Sequence, residues 1–330
     1  MSHSPSEPEV LSVAVLMGGP AAEADVSRSS AAEVAAALIE AGHRARTVEL
    51  NADSAAALLA ERPDVVFPAL HGPLGEDGTV QGLLALLDLP FVGSDVRGSA
   101  LAMDKRIAKL IFATHALPVA GGFSFGPEAE AAAIADRIDA ELGTAIVIKP
   151  LAEGSAIGVM RLRDRSAHQA AIERALTWPG GALIEPYVDG AEVTVGVLDL
   201  EGAAPRTMQP IMIRTDPGEW YDFHNRYAAG KSEHLLPAPL SAPLLQQLES
   251  IALSAHRALG LRDLSRSDFL VTENGAITLL ETNTLPGMTP TSLYPDGAKD
   301  LGYSFTALTD ALVRSAWRRG STTFNRPPDP

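Results

Sequence analysis

Short apolar runs alternate with helix-forming stretches between residues 12 and 93, and this alternation limits the start of the chain to few folds. SVAVLM (12–17) is compact and apolar, with the turn-forming Gly18-Gly19-Pro20 behind it, and reads as a buried strand. SRSSAAEVAAALIEAG (27–42) has a cap-like Ser27, strong helix formers and a closing Gly42. RARTVEL (44–50) reads as a strand, followed by a helix, the strand DVVFPAL (64–70), the helix TVQGLLALLDL (79–89) and a short strand PFVG (90–93). Strands separated by helices pair in parallel, so residues 11–104 predict an α/β domain with a doubly wound parallel sheet.

The remainder changes character. With 330 residues the chain is too long for one ordinary core, and two further α+β domains are expected. In residues 105–189, a helix from Lys105 to about His115 and one over 127–141 lead to the strand AIVIKP (145–150). A Gly-rich turn between two strands, a helix over 166–176 and the strand ALIEPYV (182–188) complete that domain. In residues 190–320, AEVTVGVLDL (191–200) and TMQPIMI (207–213) alternate like antiparallel strands, and SFTALTDALVRSAW (304–317) reads as a closing helix. The long polar segment 215–237 has no period and reads as a lid. Residues 1–10 and 321–330 read as disordered ends.

SRSDFLVTENGAITLLETNTLPGM (265–288) reads as a hairpin, because Asn274-Gly275 is a strong two-residue turn signal. That turn sets Val271 opposite Thr278, Asp268 opposite Glu281 and Arg266 opposite Asn283. Like charges facing each other destabilise a strand pair. Three explanations are open: a longer turn that shifts the register, a solvated face, or a hard cation ligated by Asp268, Glu281 and Asn283.

Composition narrows the partners. A formal net charge of −15 argues against nucleic acid, so an anionic ligand needs positive charge concentrated locally. No apolar run approaches the ~20 residues of a membrane span. The N-terminus lacks the basic start and apolar core of a signal peptide. The absence of cysteine excludes disulfides and thiol chemistry and fits a reducing, cytoplasmic setting.

Neither a GxxxxGK[ST] loop nor a GxGxxG after the first strand is present. Lys105 starts a helix, and Lys149 ends a strand just before Gly154-Ser155-Ala156; each is either a solvated charge or a phosphate ligand. HGPLGEDGTVQG (71–82) follows a buried strand, where open α/β sheets place their ligand crevices. It could cradle an anion with its N–H groups, or be an ordinary loop in which Asp77 or Thr79 caps the next helix.

In this order GGPAAEADVS, LHGPLGEDGTVQGLL, SALAMDK, IKPLAEGSAIGV, EVTVGV, YAAGKSEHLLPAPL and LLETNTLPGMTPTSLYP resemble the D-alanine–D-alanine ligases of the ATP-grasp superfamily, from about Val13 to about Leu308. The resemblance implies a three-domain ATP-grasp architecture with ATP sandwiched between the second and third domains. It implies ligation of two D-alanines through an acyl phosphate, for peptidoglycan precursors, and a homodimer through the N-terminal domain.

Its motifs carry over residue by residue. Asp268, Glu281 and Asn283 match magnesium ligands for two Mg²⁺ ions, with Mn²⁺ as a substitute. Arg266 and the N–H of Gly287 match the groups around the tetrahedral oxyanion. Lys105 and Lys149 match phosphate ligands, Glu185 the adenine-amine acceptor and Glu192 the ribose acceptor; Val188 and Arg226 join the nucleotide set. Glu23 matches the carboxylate that takes the ammonium of the first D-alanine, beside His71. Ser292 and Leu293 match the second-substrate site. Ser155 and Tyr227 match the groups that tie the lid to Glu23.

Three positions depart from the family pattern. Arg226 stands in place of a lysine, Ala156 in place of the second serine of a pair, and Asp25 in place of a glutamate. Relatives that make D-alanyl-D-lactate carry histidine at the position of Tyr227, so Tyr227 favours the dipeptide, with His224 as a neighbouring cation. The other readings are a ligase with a different D-amino or D-hydroxy second substrate, a non-ligating nucleotide-binding homologue, and a nicotinamide dehydrogenase, which the missing GxGxxG disfavours.

Overall fold

The computed structural model describes residues 7–216, 221 and 231–321. The first unit runs β1 (Ser12–Met17), α1 (Ala24–Glu40), β2 (Arg44–Glu49), α2 (Ser54–Glu61), β3 (Val65–Pro68), α3 (Thr79–Leu86) and α4 (Val96–Met103). Its strands are parallel in the order β2-β1-β3, with β1 buried at the centre, as a continuous apolar run demands. The strand expected at 90–93 shrinks to one parallel bridge, Val66 to Phe91. Pro90 has no N–H to donate, and Gly93 turns away at φ +100°.

α5 (Lys105–Thr114) leads to β4 (Phe123–Phe125), α6 (Ala131–Glu141), β5 (Ile146–Pro150) and β6 (Met160–Leu162). A 3₁₀ turn at Arg165–Ala167 runs into α7 (His168–Ala175), and β7 (Ala182–Pro186) follows. These strands form an antiparallel sheet ordered β4-β7-β5-β6. The loop expected between two strands at 151–159 joins β5 to β6. β4 has no counterpart among the sequence expectations, since three residues are too few to show a period.

A larger antiparallel sheet follows. It is built from β8 (Ala191–Asp199), β9 (Arg206–Thr207), β10 (Ile211–Thr215), β11 (Ser232–Leu235), β12 (Asp263–Val271) and β13 (Ile277–Asn283). The strand order is β11-β10-β8-β12-β13, with β9 also on β8. α8 (Ala242–Ala258) packs on this sheet; α9 (Leu293–Asp300) and α10 (Phe305–Arg319) end the chain. Part of the polar segment 215–237 is therefore strand: β11 pairs with β10, Thr215 facing Ser232.

The closing helix does not pack on the large sheet alone. Leu308, Leu312, Val313 and Ala316 of α10 join Val13 and Val15 of β1 and Val34 and Leu38 of α1 in one core. A buried knot reinforces this junction. Asp263, at the start of β12, accepts from Gly93 N at 2.8 Å, Arg319 Nη1 at 2.6 Å and Nη2 at 2.8 Å, and Ser315 Oγ at 3.1 Å. The N-terminal stretch expected to be disordered is held from residue 7 onward. Glu7 pairs with Arg314 and Arg318, and Arg314 also donates to the carbonyls of Pro8 and Glu9. Residues 1–6 and 322–330 lie outside the described residues.

Candidate active site

Asp268 faces Glu281 and Arg266 faces Asn283, as the sequence suggests, but by a different route. The turn holds three residues, 273–275, closed by Thr272 N donating to Ala276 O at 3.0 Å, and only Gly275 of the Asn-Gly pair takes a positive φ, +83°. Val271 therefore faces Ile277, not Thr278, one step off the expected register. A β-bulge at Leu280 then restores the register before Glu281. The alternation of buried and half-buried residues along β13 breaks at that point, with Leu280 and Glu281 both half-buried and both lining one cleft. The bulge thus puts the acid on the cleft side of the strand.

The facing carboxylates do not confront each other bare. Arg266 Nε and Nη2 donate to Asp268 Oδ1 and Oδ2, both at 2.8 Å. Thr194 Oγ1 and Asn283 Nδ2 also donate to Asp268, at 2.6 and 3.1 Å. Lys105 Nζ lies 3.1 Å from Glu281 Oε2 and donates to the carbonyl of Glu153 at 2.6 Å. Burial opposes the Arg266 charge, but Asp268 more than offsets it and holds the guanidinium above its usual pKa. Each acid is thus matched by its own cation.

The cleft opens between the four-stranded sheet and the large sheet. Lys105, Lys149, Glu185, Val188, Glu192 and Glu281 line it together with Ala156 and Tyr221. Lys105 is placed there by helix capping: Asp104 accepts from Arg106 N and Ile107 N at 3.0 and 3.1 Å and starts α5 one residue later. Lys149 and Glu185 sit on neighbouring strands, β5 and β7, where Val147 is Glu185's direct partner. Burial pushes Lys149 down to about 8; Glu281 works against that and Lys105 adds to it.

At the cleft's other end the N-terminal unit meets both sheets. Glu23 is buried at the start of α1. Ser155 Oγ donates to Glu23 Oε1. Gly72 takes φ +68°, and a Cβ there would lie 2.5 Å from Glu23 Oε2, so glycine favours the approach of the 71–78 loop to this carboxylate. His71 is buried close by; burial first, and then Arg266, push its pKa down to about 4, so the ring is neutral at pH 7. Ser155 and Ala156 both take positive φ, +48° and +58°, a strained pair where the chain turns over Glu23.

The 71–78 loop holds its own acids rather than an external anion. Glu76 accepts from Gly72 N at 2.8 Å and Leu285 N at 3.4 Å, while Asp77 accepts from Leu74 N and Thr79 N, both at 2.9 Å. The N–H groups suggested as an anion cradle are thus occupied. Burial first, and then the Glu23 charge, raise Glu76 to about 8.

On the facing loop, Gly287 packs beside Ser292, whose Oγ accepts from Thr289 N at 3.1 Å at the start of α9. Leu293 is buried with Ile211 and Tyr221. Arg226, Tyr227 and His224 lie outside the described residues. Asp25 points away from the site: its side chain is 98% exposed and pairs with Arg28 at 2.7 Å. That departure from the family pattern therefore falls on the surface.

Several site residues escape the sequence reading. Lys109 pairs with Glu185, and burial together with neighbouring Lys149 pushes its pKa down to about 7. The available signal was its position one helical turn after Lys105, on the same face of α5. Tyr187 lines the cleft rim under two guanidiniums, Arg161 at 4.9 Å and Arg163 at 4.7 Å from its ring centre. Tyr221 stands in a polar stretch without period, and no pattern singles it out.

Residues 42–94 match the family described as D-ala D-ala ligase N-terminus, and residues 117–314 match D-ala D-ala ligase C-terminus. The chain belongs to the D-alanine–D-alanine ligase family. It is 41% identical to the D-alanine–D-alanine ligase of Agrobacterium fabrum over 92% of this chain and 97% of that protein. Against the ligase of Trichlorobacter lovleyi the identity is 43%, over 92% and 94%. Among solved structures, a Bacillus anthracis D-alanine–D-alanine ligase complexed with ATP superposes with TM-score 0.80 at 28% identity, covering 94% of this chain and 98% of that one. A D-Ala:D-Ser ligase from Enterococcus faecalis gives 0.79 at 28% identity, covering 92% and 98%. The ATP-grasp architecture expected from the motifs is the observed fold.

Proposed function

We propose that this protein is an ATP-dependent D-alanine–D-alanine ligase that supplies a peptidoglycan precursor. The observation that carries the reading is convergence. Three cationic side chains, Lys105, Lys149 and Arg266, gather in a chain of net charge −15, beside the bond of Ser155 to the buried Glu23 and at the junction of three units. The chain concentrates its positive charge where a polyphosphate and two carboxylates need it.

In this reading the adenine amine donates to Glu185, Val188 packs in the nucleotide site, Glu192 takes the ribose, and Lys105 and Lys149 hold phosphates. Glu23 receives the ammonium of the first D-alanine, with neutral His71 beside it. A carboxylate oxygen of that first D-alanine attacks the γ-phosphorus and ADP leaves, giving a D-alanyl phosphate. The amine of the second D-alanine, held through Ser292 and Leu293, attacks the carbonyl carbon, and phosphate leaves. Arg266 and the Gly287 N–H are assigned to the oxyanion of that tetrahedral stage, where a fixed positive charge acts most strongly.

Asp268, Glu281 and the amide oxygen of Asn283 form an oxygen donor set on one face of the hairpin, which suits a hard cation. Among the described residues no three His, Cys, Asp or Glu side chains group to hold a metal, so the amide completes this set. We assign two Mg²⁺, replaceable by Mn²⁺, to it; when bound they offset phosphate charge. A cytoplasmic location and a homodimer through the N-terminal unit belong to the same reading.

Phosphate release from ATP should depend on D-alanine, and mass analysis should find D-alanyl-D-alanine. Release that ignores D-alanine refutes the proposal. The D-Ala:D-Ser relative keeps a second reading open, in which the second substrate differs. Tyr227 is assigned as the selector, because a neutral phenol offers D-lactate no positive charge. With equal D-alanine and D-lactate at pH 7 the dipeptide should dominate, and Tyr227→His should shift product toward the ester at lower pH. Predominant ester from the unmutated protein would remove Tyr227 from that role.

A further inference from the structure

Glu185 has two lysines on one carboxylate: Lys109 contacts Oε1 and Lys149 contacts Oε2. All three side chains are nearly enclosed, with 11%, 10% and 6% exposure for Lys109, Lys149 and Glu185. One carboxylate balances one ammonium, so the second positive charge is surplus, and the two lysines repel each other across Glu185. Such a group is stable only until one cation has a better partner.

The two lysines differ in access. Lys149 lines the cleft beside Lys105, whereas Lys109 is not among the lining residues. Lys149 comes from β5, two residues beyond Val147, the strand partner of Glu185. Lys109 comes from α5 and reaches the carboxylate by its other oxygen. A polyphosphate entering the cleft can therefore draw Lys149 off Glu185 but cannot draw Lys109.

We propose that Lys109 is a positioning residue for base selection. It stays on Glu185 Oε1 when Lys149 turns to the phosphates, and keeps the carboxylate ionised with Oε2 aimed at the purine 6-position. An ionised carboxylate accepts from a 6-amino group and repels a 6-oxo group. Without Lys109, either Lys149 remains captured and the phosphates lose a cation, or the buried carboxyl takes a proton and can donate to a 6-oxo purine. The first route weakens ATP binding and the second erodes the preference for adenine. The inference rests on the assignment of Glu185 as the adenine acceptor.

The test is calorimetric binding of ATP and of inosine 5′-triphosphate, whose 6-position is an oxo group, to the full chain with Mg²⁺. Lys109→Met should weaken ATP binding roughly ten- to a hundredfold, the range for a lost hydrogen bond to a charged group, and shrink the ATP-to-ITP preference. Lys109→Arg should restore most of both, because a guanidinium also holds a carboxylate. If Glu185→Gln leaves the preference unchanged, Glu185 does not read the base, and the assignment beneath the inference fails. If Glu185→Gln erases the preference while Lys109→Met keeps the wild-type ratio, the assignment stands and the inference is overturned. Should Lys109→Met not fold, the double variant lacking both charges decides. Affinity equal to that of Glu185→Gln alone shows that Lys109 acts through Glu185, and a further drop shows that it does not.

Discussion

Replacing Glu281 by glutamine tests how the hairpin tolerates its facing acids. From the strand pairing alone, the substitution removes a like-charge pair across from Asp268, a gain of at most about 1 kcal/mol. The structure reverses the sign. Asp268 is already neutralised by the two bonds from Arg266, so little repulsion is left to relieve. Glu281 instead faces Lys105 at 3.1 Å, in a pair whose side chains are 9% and 22% exposed. A hydrogen bond to a charged group contributes about 1.5–3 kcal/mol, and the amide of glutamine recovers part of it. We expect Glu281→Gln to lose about 1 kcal/mol in urea unfolding without nucleotide, and to abolish ligation. The loss should vanish in a Lys105→Met background, because the pair is then already broken. A Glu281→Gln protein as stable as the wild type would refute the assignment of the Lys105 pair. Near-normal turnover would remove Glu281 from the metal set.

Burial depresses His71 from 6.5 to about 4, so between those values the unfolded chain binds the extra proton. Its contribution is complete above pH 6.5 and is lost as pH falls toward 4; from pH 7 to 5 the wild type should lose about 2 kcal/mol more than His71→Gln, and equal losses in urea titrations would argue against a buried neutral ring. Lys149, pushed down to about 8, is charged below that pH and must take up a proton on binding phosphate above it. The Kd for ATP should therefore rise toward tenfold per unit above about 8, with a flatter profile in Lys149→Met. Arg319→Met strands the fully buried Asp263 and should cost about 3–5 kcal/mol in thermal or urea unfolding, with Arg319→Lys between the two; a loss under about 1 kcal/mol would show that the knot does not hold the junction.

What was legible in the chain follows from how local each signal is. The β1–α3 segment is readable because every element carries its own period and cap, and a parallel sheet needs only their order. The packing of α10 against β1 and α1 is not readable locally: its apolar face fits either sheet, and the buried Asp263–Arg319 pair that helps anchor it joins residues 56 apart in sequence. Among the candidate residues, Glu23 is singled out only through the resemblance, whereas the hairpin register already marks Asp268. Lys109 is missed although it lies in the same helix as Lys105, because its role depends on Glu185 arriving from another strand. Of the two readings open for the 71–82 loop, the anion cradle gives way for the same kind of reason. Spacing shows that N–H groups are present, and only the fold shows that Glu76 and Asp77 already occupy them.

The hairpin carries this distinction furthest. A two-residue turn with no bulge and a three-residue turn with a bulge at Leu280 give the same pairing of Asp268 with Glu281, yet they bury opposite faces of the strand between. In the first arrangement Leu279 shares the face of Glu281 and points to the cleft, while Thr278 and Leu280 pack into the core. In the structure Ile277 and Leu279 enter the core with Phe269 and Val271, and Thr278 and Leu280 line the cleft. Burying Ile277 and Leu279 in place of Thr278 and Leu280 keeps a hydroxyl out of the core, which favours the observed register. The bulge then returns Glu281 and Asn283 to the open side. Apolar packing therefore selects the turn, the bulge corrects for it, and the acids reach the cleft because the two irregularities cancel. A simpler hairpin reaches the same acid pairing from the sequence because the two shifts are equal and opposite.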